Sequence, residues 1–178
     1  MRKIALTIIC VFSVLTIANA QEWAKYKSTE LAFVADFPAI PTSKLQKVQT
    51  DAGEIDMNMR MCTPVLDDDN LIYSVIRSDY PEDNFIDATD EFNNSVLDGS
   101  VKGAVNNVQG TLVFDKNLSF NGYPSRQIKI DITGGFIYIN VYLIVNTMYI
   151  TQVICEKDKD NNTDIKKFQD SFEIIKVK

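Results

Sequence analysis

The hydrophobic pattern is most regular between Gly122 and Cys155, where three apolar runs follow one another: Tyr123–Ile132, Phe136–Val145 and Met148–Cys155. Only Thr133-Gly134-Gly135 and Asn146-Thr147 separate them, and turns this short between β-prone runs predict strands that fold back on their predecessors. In the first run Ile128, Ile130 and Ile132 alternate with Gln127, Lys129 and Asp131, the pattern of a strand wet on one face. In the second, Ile137, Ile139, Val141, Leu143 and Val145 are apolar on one parity, and Phe136, Tyr138, Tyr142 and Ile144 on the other. A strand apolar on both parities must be covered on both faces, so it belongs in the interior of its sheet.

Upstream, Trp23–Tyr26 begins an edge element, and Leu31–Phe37 reads as a strand ending at Pro38 and Pro41. Leu45–Thr50, the turn Asp51-Ala52-Gly53 and Glu54–Cys62 read as a hairpin, and Leu71–Ser78 as a further strand. The period then changes. Phe92, Val96, Leu97, Val101, Ala104, Val105 and Val108 recur at three and four, predicting an amphipathic helix over Asp87–Val108 with Asp87 and Asp90 at its start. Gly99 and Gly103 weaken that helix by about 1 kcal/mol each relative to alanine, and are read as sites of close approach to the sheet. Gly110 ends the helix, Thr111–Phe120 is a strand, and Thr163–Phe172 is a short closing helix with Ile165, Phe168 and Phe172 on one face. The sum is α+β, a mostly antiparallel sheet of about seven or eight strands with two main helices. If the helices take opposite faces it is an α/β/α sandwich.

The first twenty residues have the organisation of a secretory signal: Arg2 and Lys3, an apolar stretch from Ile4 to Ile17, then Ala18-Asn19-Ala20 before Gln21. We therefore expect 1–20 to be a signal peptide and 21–178 a single exported domain, periplasmic or extracellular, with no membrane insertion after cleavage. Cys10 lies in the middle of that apolar stretch, preceded by Ile8-Ile9, and does not fit a lipidation site. Removing Arg2 and Lys3 from the 18 basic residues leaves 16 against 24 acids, a charge of −8. That balance disfavours nucleic acid and anionic membrane surfaces as partners. The chain contains no histidine, which removes His-based acid–base catalysis, Ser-His and Cys-His nucleophiles and the usual zinc sites.

Phe37-Pro38, Tyr73 with Val75, Ser78-Asp79-Tyr80-Pro81, Leu97-Asp98-Gly99, Gly103, Gly122-Tyr123-Pro124-Ser125-Arg126, Tyr142-Leu143 with Asn146 and Tyr149, and Phe168 with Ser171-Phe172 together carry a family resemblance. In their order and spacing, across essentially the whole of residues 21–178, the chain resembles the exported bacterial members of the PsbP-like group. The resemblance implies an α/β/α sandwich around an antiparallel sheet. Its relatives include the extrinsic subunit of the photosynthetic oxygen-evolving complex, Mog-type Ran-binding proteins and bacterial envelope proteins. It implies no catalytic residues and no cofactor.

Several groups of residues are candidates for chemistry, each beside a plainer reading. Tyr80, Tyr123 and Arg126, with Arg77 near them, offer an aromatic and guanidinium rim for a partner, or simply close the core beside turn-setting prolines. Tyr138, Tyr142 and Tyr149 line a small cleft or pack under a helix. Met57, Met59 and Met61 present three thioethers on one strand face, suited to Cu(I) or to filling the core beside Ile55. Asp158, Asp160, Asn162 and Asp164 begin like a calcium loop, but Thr163 and Gln169 stand where glycine and glutamate are required. They read better as a connection capping the last helix. Asp67–Asn70 is a loop with the same acidic character. Cys62 and Cys155 are a possible disulfide, with Cys62 sharing parity with polar residues and expected to be exposed. The expectation for function is a non-enzymatic binding or envelope-assembly module with a protein partner. The alternative is a binder of a small molecule or metal ion at the tyrosine face or the methionine stripe.

Overall fold

Period two and period three-to-four become two kinds of element in the structure, a computed structural model that describes residues 23–50, 53–64 and 68–175. The expected signal segment, Asp51-Ala52 of the first hairpin turn and Asp67 lie outside the described residues. In chain order the strands begin with β1 (Ala24–Ser28), β2 (Phe33–Phe37), β3 (Thr42–Thr50), β4 (Gly53–Cys62) and β5 (Asn70–Asp79). Helix α1 (Asp90–Asn107) follows, then β6 (Thr111–Phe120), β7 (Tyr123–Ile132), β8 (Gly135–Ile144) and β9 (Thr147–Glu156). Helix α2 (Thr163–Asp170) and the two-residue β10 (Glu173–Ile174) close the fold.

Seven strands form one antiparallel sheet in the order β3-β4-β5-β9-β8-β7-β6. Strand β8 lies inside it, paired with β7 on one side and β9 on the other, as its apolar character on both parities requires. Its Ile137, Ile139, Val141 and Leu143 pack with Ile128 and Ile130 of β7, Met148, Phe85, and Leu97 and Val101 of α1. Its Tyr138 and Tyr142 point the other way, into a cluster with Tyr73, Val75, Tyr149 and Val153, closed by Ile165 and Phe168 of α2 and by Phe33 and Phe37. The sheet is therefore covered on both faces, and the sandwich is α/β/α-like with one difference. Strands β1 and β2 do not enter the main sheet; with β10 they form a second, three-stranded sheet in the order β1-β2-β10 that shares the second face with α2.

The sandwich's second face is unusually aromatic. Phe168 is fully buried and its ring meets those of Trp23, Phe37 and Tyr73 at 5.1 to 6.5 Å, edge-on or tilted. Such pairs add about 0.5–1.5 kcal/mol beyond area burial.

Both helices start at polar caps. Thr89 Oγ1 accepts from Phe92 N at 3.2 Å and begins α1, so the helix starts three residues after the expected Asp87, which instead turns the chain at a φ of 55°. Gly99 and Gly103 do not approach the sheet: a Cβ at either would meet nothing within 4 Å. The buried residues of α1 are Leu97 and Val101, and a step of two residues from them turns about 200° to the outer side. Close approaches are made instead by Gly110, where a Cβ would lie 2.4 Å from Ile130 Cγ2, and by Gly135, where it would lie 2.3 Å from the Cys155 carbonyl oxygen. Among the described residues no helix is long and apolar enough to cross a membrane.

Candidate functional site

The tyrosine face is closed. Tyr138, Tyr142 and Tyr149 are all buried, and each hydroxyl has a protein partner. Tyr149 Oη donates to the Leu31 carbonyl at 3.0 Å, reaching across to the segment that leads into β2. Tyr142 Oη accepts from Asn140 Nδ2 at 3.1 Å, and its ring stacks on Phe172 with centroids 4.9 Å apart. Tyr138 Oη donates to Asp160 and lies 2.9 Å from Asn161 Oδ1. Burial pushes all three phenols above their ordinary pKa, so none offers an ionisable group near neutrality. The sequence places these rings side by side correctly; α2, Phe172 and the small sheet leave no cleft over them.

At one end of this face a charge is held inside the protein. Lys129 on β7 shares the tyrosine side of the sheet, with its side chain only 8% exposed. Its Nζ donates to Asp160 Oδ2 at 2.7 Å and sits 4.0 Å from the ring centre of Phe136 and 5.0 Å from that of Tyr138. Desolvation works against the ammonium, but the bonds to Asp160 and Tyr138 outweigh it and raise the Lys129 pKa. For Asp160 desolvation likewise opposes the charge, and Lys129 and Tyr138 together bring its carboxyl below the ordinary carboxylate range. This pair ties the connection after β9 to β7 and β8.

The segment expected to resemble a calcium loop is used as a cap. Asn162 Oδ1 accepts from Asp164 N and Ile165 N and starts α2. Its amide also exchanges hydrogen bonds with buried Asn70 at 2.9 and 3.0 Å, joining α2 to the start of β5. Tyr73 Oη donates to Asp68 Oδ1 at 2.9 Å beside them, and burial, followed by that carboxylate, pushes its phenol well up. With Asp160 engaged by Lys129, and Asp158 in the single 3-10 turn before it, the four residues do not converge. Among the described residues no three His, Cys, Asp or Glu side chains are grouped to hold a metal.

Arg126 is not part of an exposed rim. Its guanidinium is mostly buried and bonds to Asp98 of α1 and, at 2.8 Å, to Asp115 of β6, clamping the helix to the sheet edge. Arg77 is likewise occupied, by Asp79 at 2.9–3.1 Å. Tyr80 is half-buried against Phe85, and its backbone exchanges hydrogen bonds with Asn146 at 2.8 and 2.9 Å. Tyr123 is exposed at the same end of the sheet, but β9 and β8 separate it from β5, roughly 14 Å at ordinary strand spacing. These residues share an end of the sheet without forming one surface.

Met57, Met59 and Met61 do share one strand face with Ile55; Met59 and Ile55 are buried, the other two half-buried. Cys62 is buried rather than exposed, and Cys62 and Cys155 are both free thiols. Strand β5 runs between their strands, which separates them by about 10 Å or more, against a bridging limit of about 7 Å. Residue parity misled here because Cys62 and Arg60 share the second face, which the small sheet and the chain before β2 cover: Arg60 Nε donates to Tyr26 Oη, and its Nη2 donates to Glu30.

A concavity among the described residues lies elsewhere. Between α1 and the edge strand β6 runs an open groove of about 370 Å3 with Val101, Val105 and Leu112 as its apolar lining and Asp98, Lys102, Asn106 and Asp115 as its polar one. Among the described residues strand β6 pairs with β7 alone, at the edge of the sheet. Nothing in the local pattern marks this feature, because an edge strand is defined by a neighbour it lacks.

No family model matches the chain, and no curated protein sequence does. Its fold is similar to that of cyanobacterial PsbP (CyanoP) from Synechocystis sp. PCC 6803, known from a solution structure. The TM-score is 0.59 at 13% sequence identity, over 88% of this chain and 95% of that one. The fold is thus PsbP-like, as the spaced motifs lead one to expect; at this identity the likeness is one of architecture.

Proposed function

We propose that the chain is an exported, non-enzymatic domain, residues 21–178 after loss of 1–20, that recognises a protein partner through its outer surface. The observation that carries this reading is the closed tyrosine face: the side chains best suited to line a ligand cleft are packed as core, with their hydroxyls satisfied internally. The histidine-free composition and acidic charge favour recognition over acid–base chemistry, and the PsbP-like architecture is compatible with a binding role. The small-molecule and metal readings draw no comparable support, since the tyrosine cleft is filled and the Asp160 carboxylate is taken.

A thermal-shift panel of Cu(I), Ca2+ and a metabolite library tests this directly. Ligand that binds the native state raises Tm with its excess over Kd, about 2.7 kcal/mol at a hundredfold excess. We expect no shift from any member of the panel. A concentration-dependent rise with Cu(I), lost in Met57→Leu and Met61→Leu, would replace the partner reading with a copper site.

A further inference from the structure

We propose that the packed tyrosine face holds an internal water between α2 and the main sheet, bound by the side chains of Asn140, Thr151 and Gln169. Such a site does not depend on which partner the protein recognises. All three side chains are more than nine-tenths buried: Asn140 is 8% exposed, Thr151 0% and Gln169 7%. Each carries an atom without a hydrogen-bond partner among the described residues, namely Asn140 Oδ1, Thr151 Oγ1 and Gln169 Nε2. Burying a polar group unpaired is costly, so such groups in folded proteins are matched by protein or by water.

Strand register and helix geometry bring the three together. Asn140 of β8 and Thr151 of β9 are direct cross-strand partners, so their side chains leave the sheet on one side, about 5 Å apart. It is the tyrosine side, because Tyr138 and Tyr142 flank Asn140 at two residues, and Tyr149 and Val153 flank Thr151. Burial and then Asn140 dominate the Tyr142 phenol. The neighbouring Thr151 hydroxyl also acts on it, but the two hydroxyls do not meet in hydrogen-bonding geometry. Gln169 arrives from the helix above. The buried residues of α2 are Ile165, Phe168 and Gln169, and Phe168 and Gln169 stand about 100° apart round the helix. Phe168 turns to the side of the small sheet, meeting Phe37 and Trp23 as well as Tyr73. Gln169 therefore occupies the other limit of the buried arc, on the side of β8. Three residues further on, Phe172 stacks on Tyr142 of β8 at 4.9 Å.

The chemistry of these atoms selects the ligand. Asn140 Oδ1 accepts, Gln169 Nε2 donates, and Thr151 Oγ1 does either. One water offers two donors and two acceptor sites, and two to four polar partners are what an internal water requires. Turning the Asn140 amide end for end would pair Oδ1 with the Tyr142 hydroxyl and free Nδ2, so one end is unmatched either way. A metal ion does not suit the set, which has no charged member and presents an amide nitrogen. Any larger ligand would have to displace the stacked rings of Tyr142 and Phe172.

Thr151→Val, which exchanges the hydroxyl for a methyl of similar size, tests the site. A hydroxyl that holds a water stabilises the fold, whereas a hydroxyl left unpaired weakens it. We expect Thr151→Val to lower Tm by about 2–4 °C, and Thr151→Ser to retain the water. Gln169→Met should also lower Tm, and the double variant should lose less than the two single losses together, because both remove the same water. Oxygen-17 relaxation dispersion of the solvent counts long-residence internal waters without interference from exchanging hydroxyl protons. The wild type should show one more than Thr151→Val. A wild-type count of zero, equal counts in wild type and Thr151→Val, a raised Tm in Thr151→Val, or strictly additive losses would each overturn the proposal.

Discussion

Replacing Asp160 by Asn should destabilise the protein by about 2–3 kcal/mol, far more than a surface ion pair is worth. Removing one partner of a buried pair costs about 3–5 kcal/mol, because the other charge is left without compensation. Here Lys129 is 8% exposed but Asp160 is 26% exposed, so water offsets part of the loss and brings it to about 2–3 kcal/mol. For a domain of this size about 1 kcal/mol moves Tm by roughly 2–4 °C, giving a fall of about 5–10 °C. The double variant Lys129→Met, Asp160→Asn removes the stranded charge while keeping an apolar stem over Phe136, and should recover at least half of the loss. The pH dependence follows from the two shifts. Asp160 has a lowered folded pKa, so its contribution is present above the unfolded value of about 3.9 and vanishes as pH falls through the folded one. Lys129 has a raised folded pKa, so its contribution is present below about 10.4 and is lost as pH rises through the higher folded value. The gap between wild type and Asp160→Asn should therefore be flat from about pH 5 to 9 and shrink below about pH 4. Urea unfolding of the four proteins of the cycle measures all of this. A single-variant cost under about 0.5 kcal/mol, or losses that simply add, would refute the reasoning.

Gly135→Ala should cost at least about 2 kcal/mol, since its Cβ would overlap the Cys155 carbonyl, whereas Gly99→Ala should stabilise α1 by about 0.5–1 kcal/mol; chemical denaturation of both compares a crowded glycine with an open one. Asn162→Ala removes the cap of α2 and leaves buried Asn70 without its reciprocal partner, so we expect a loss of about 2–3 kcal/mol, read by thermal unfolding.

Much of the main sheet was legible in the chain because its signals are local. The alternation at Ile128, Ile130 and Ile132, the two apolar parities of Phe136–Val145, and the short turns between them predict β7, β8 and β9 within a residue or two of where they lie. The apolar residues of the last helix were legible for the same reason: Ile165 and Phe168 lie one turn apart and are both buried. What failed to show depends on partners distant in sequence. Leu31–Phe37 carries a strand pattern, but nothing in it says that β2 pairs with β1 and β10 rather than joining the main sheet. Arg126 reads as a surface guanidinium until Asp98 and Asp115, 28 and 11 residues away, close on it. Cys62 alternates with polar residues, but its side of β4 is covered by chain from a separate sheet. The candidate groove was hidden most completely, since Lys102 and Leu112 line it together only because α1 packs on β7 and β8 next to β6.

Amide hydrogen exchange across the main sheet, without any ligand, tests the central claim: the tyrosine face is packed interior, and β6 is an edge of the sheet. The account predicts that the amides of β8 and β9 exchange only through global unfolding, while the outward amides of β6 exchange orders of magnitude faster. Fast exchange through Tyr138–Tyr142, with slow exchange along β6, would contradict it.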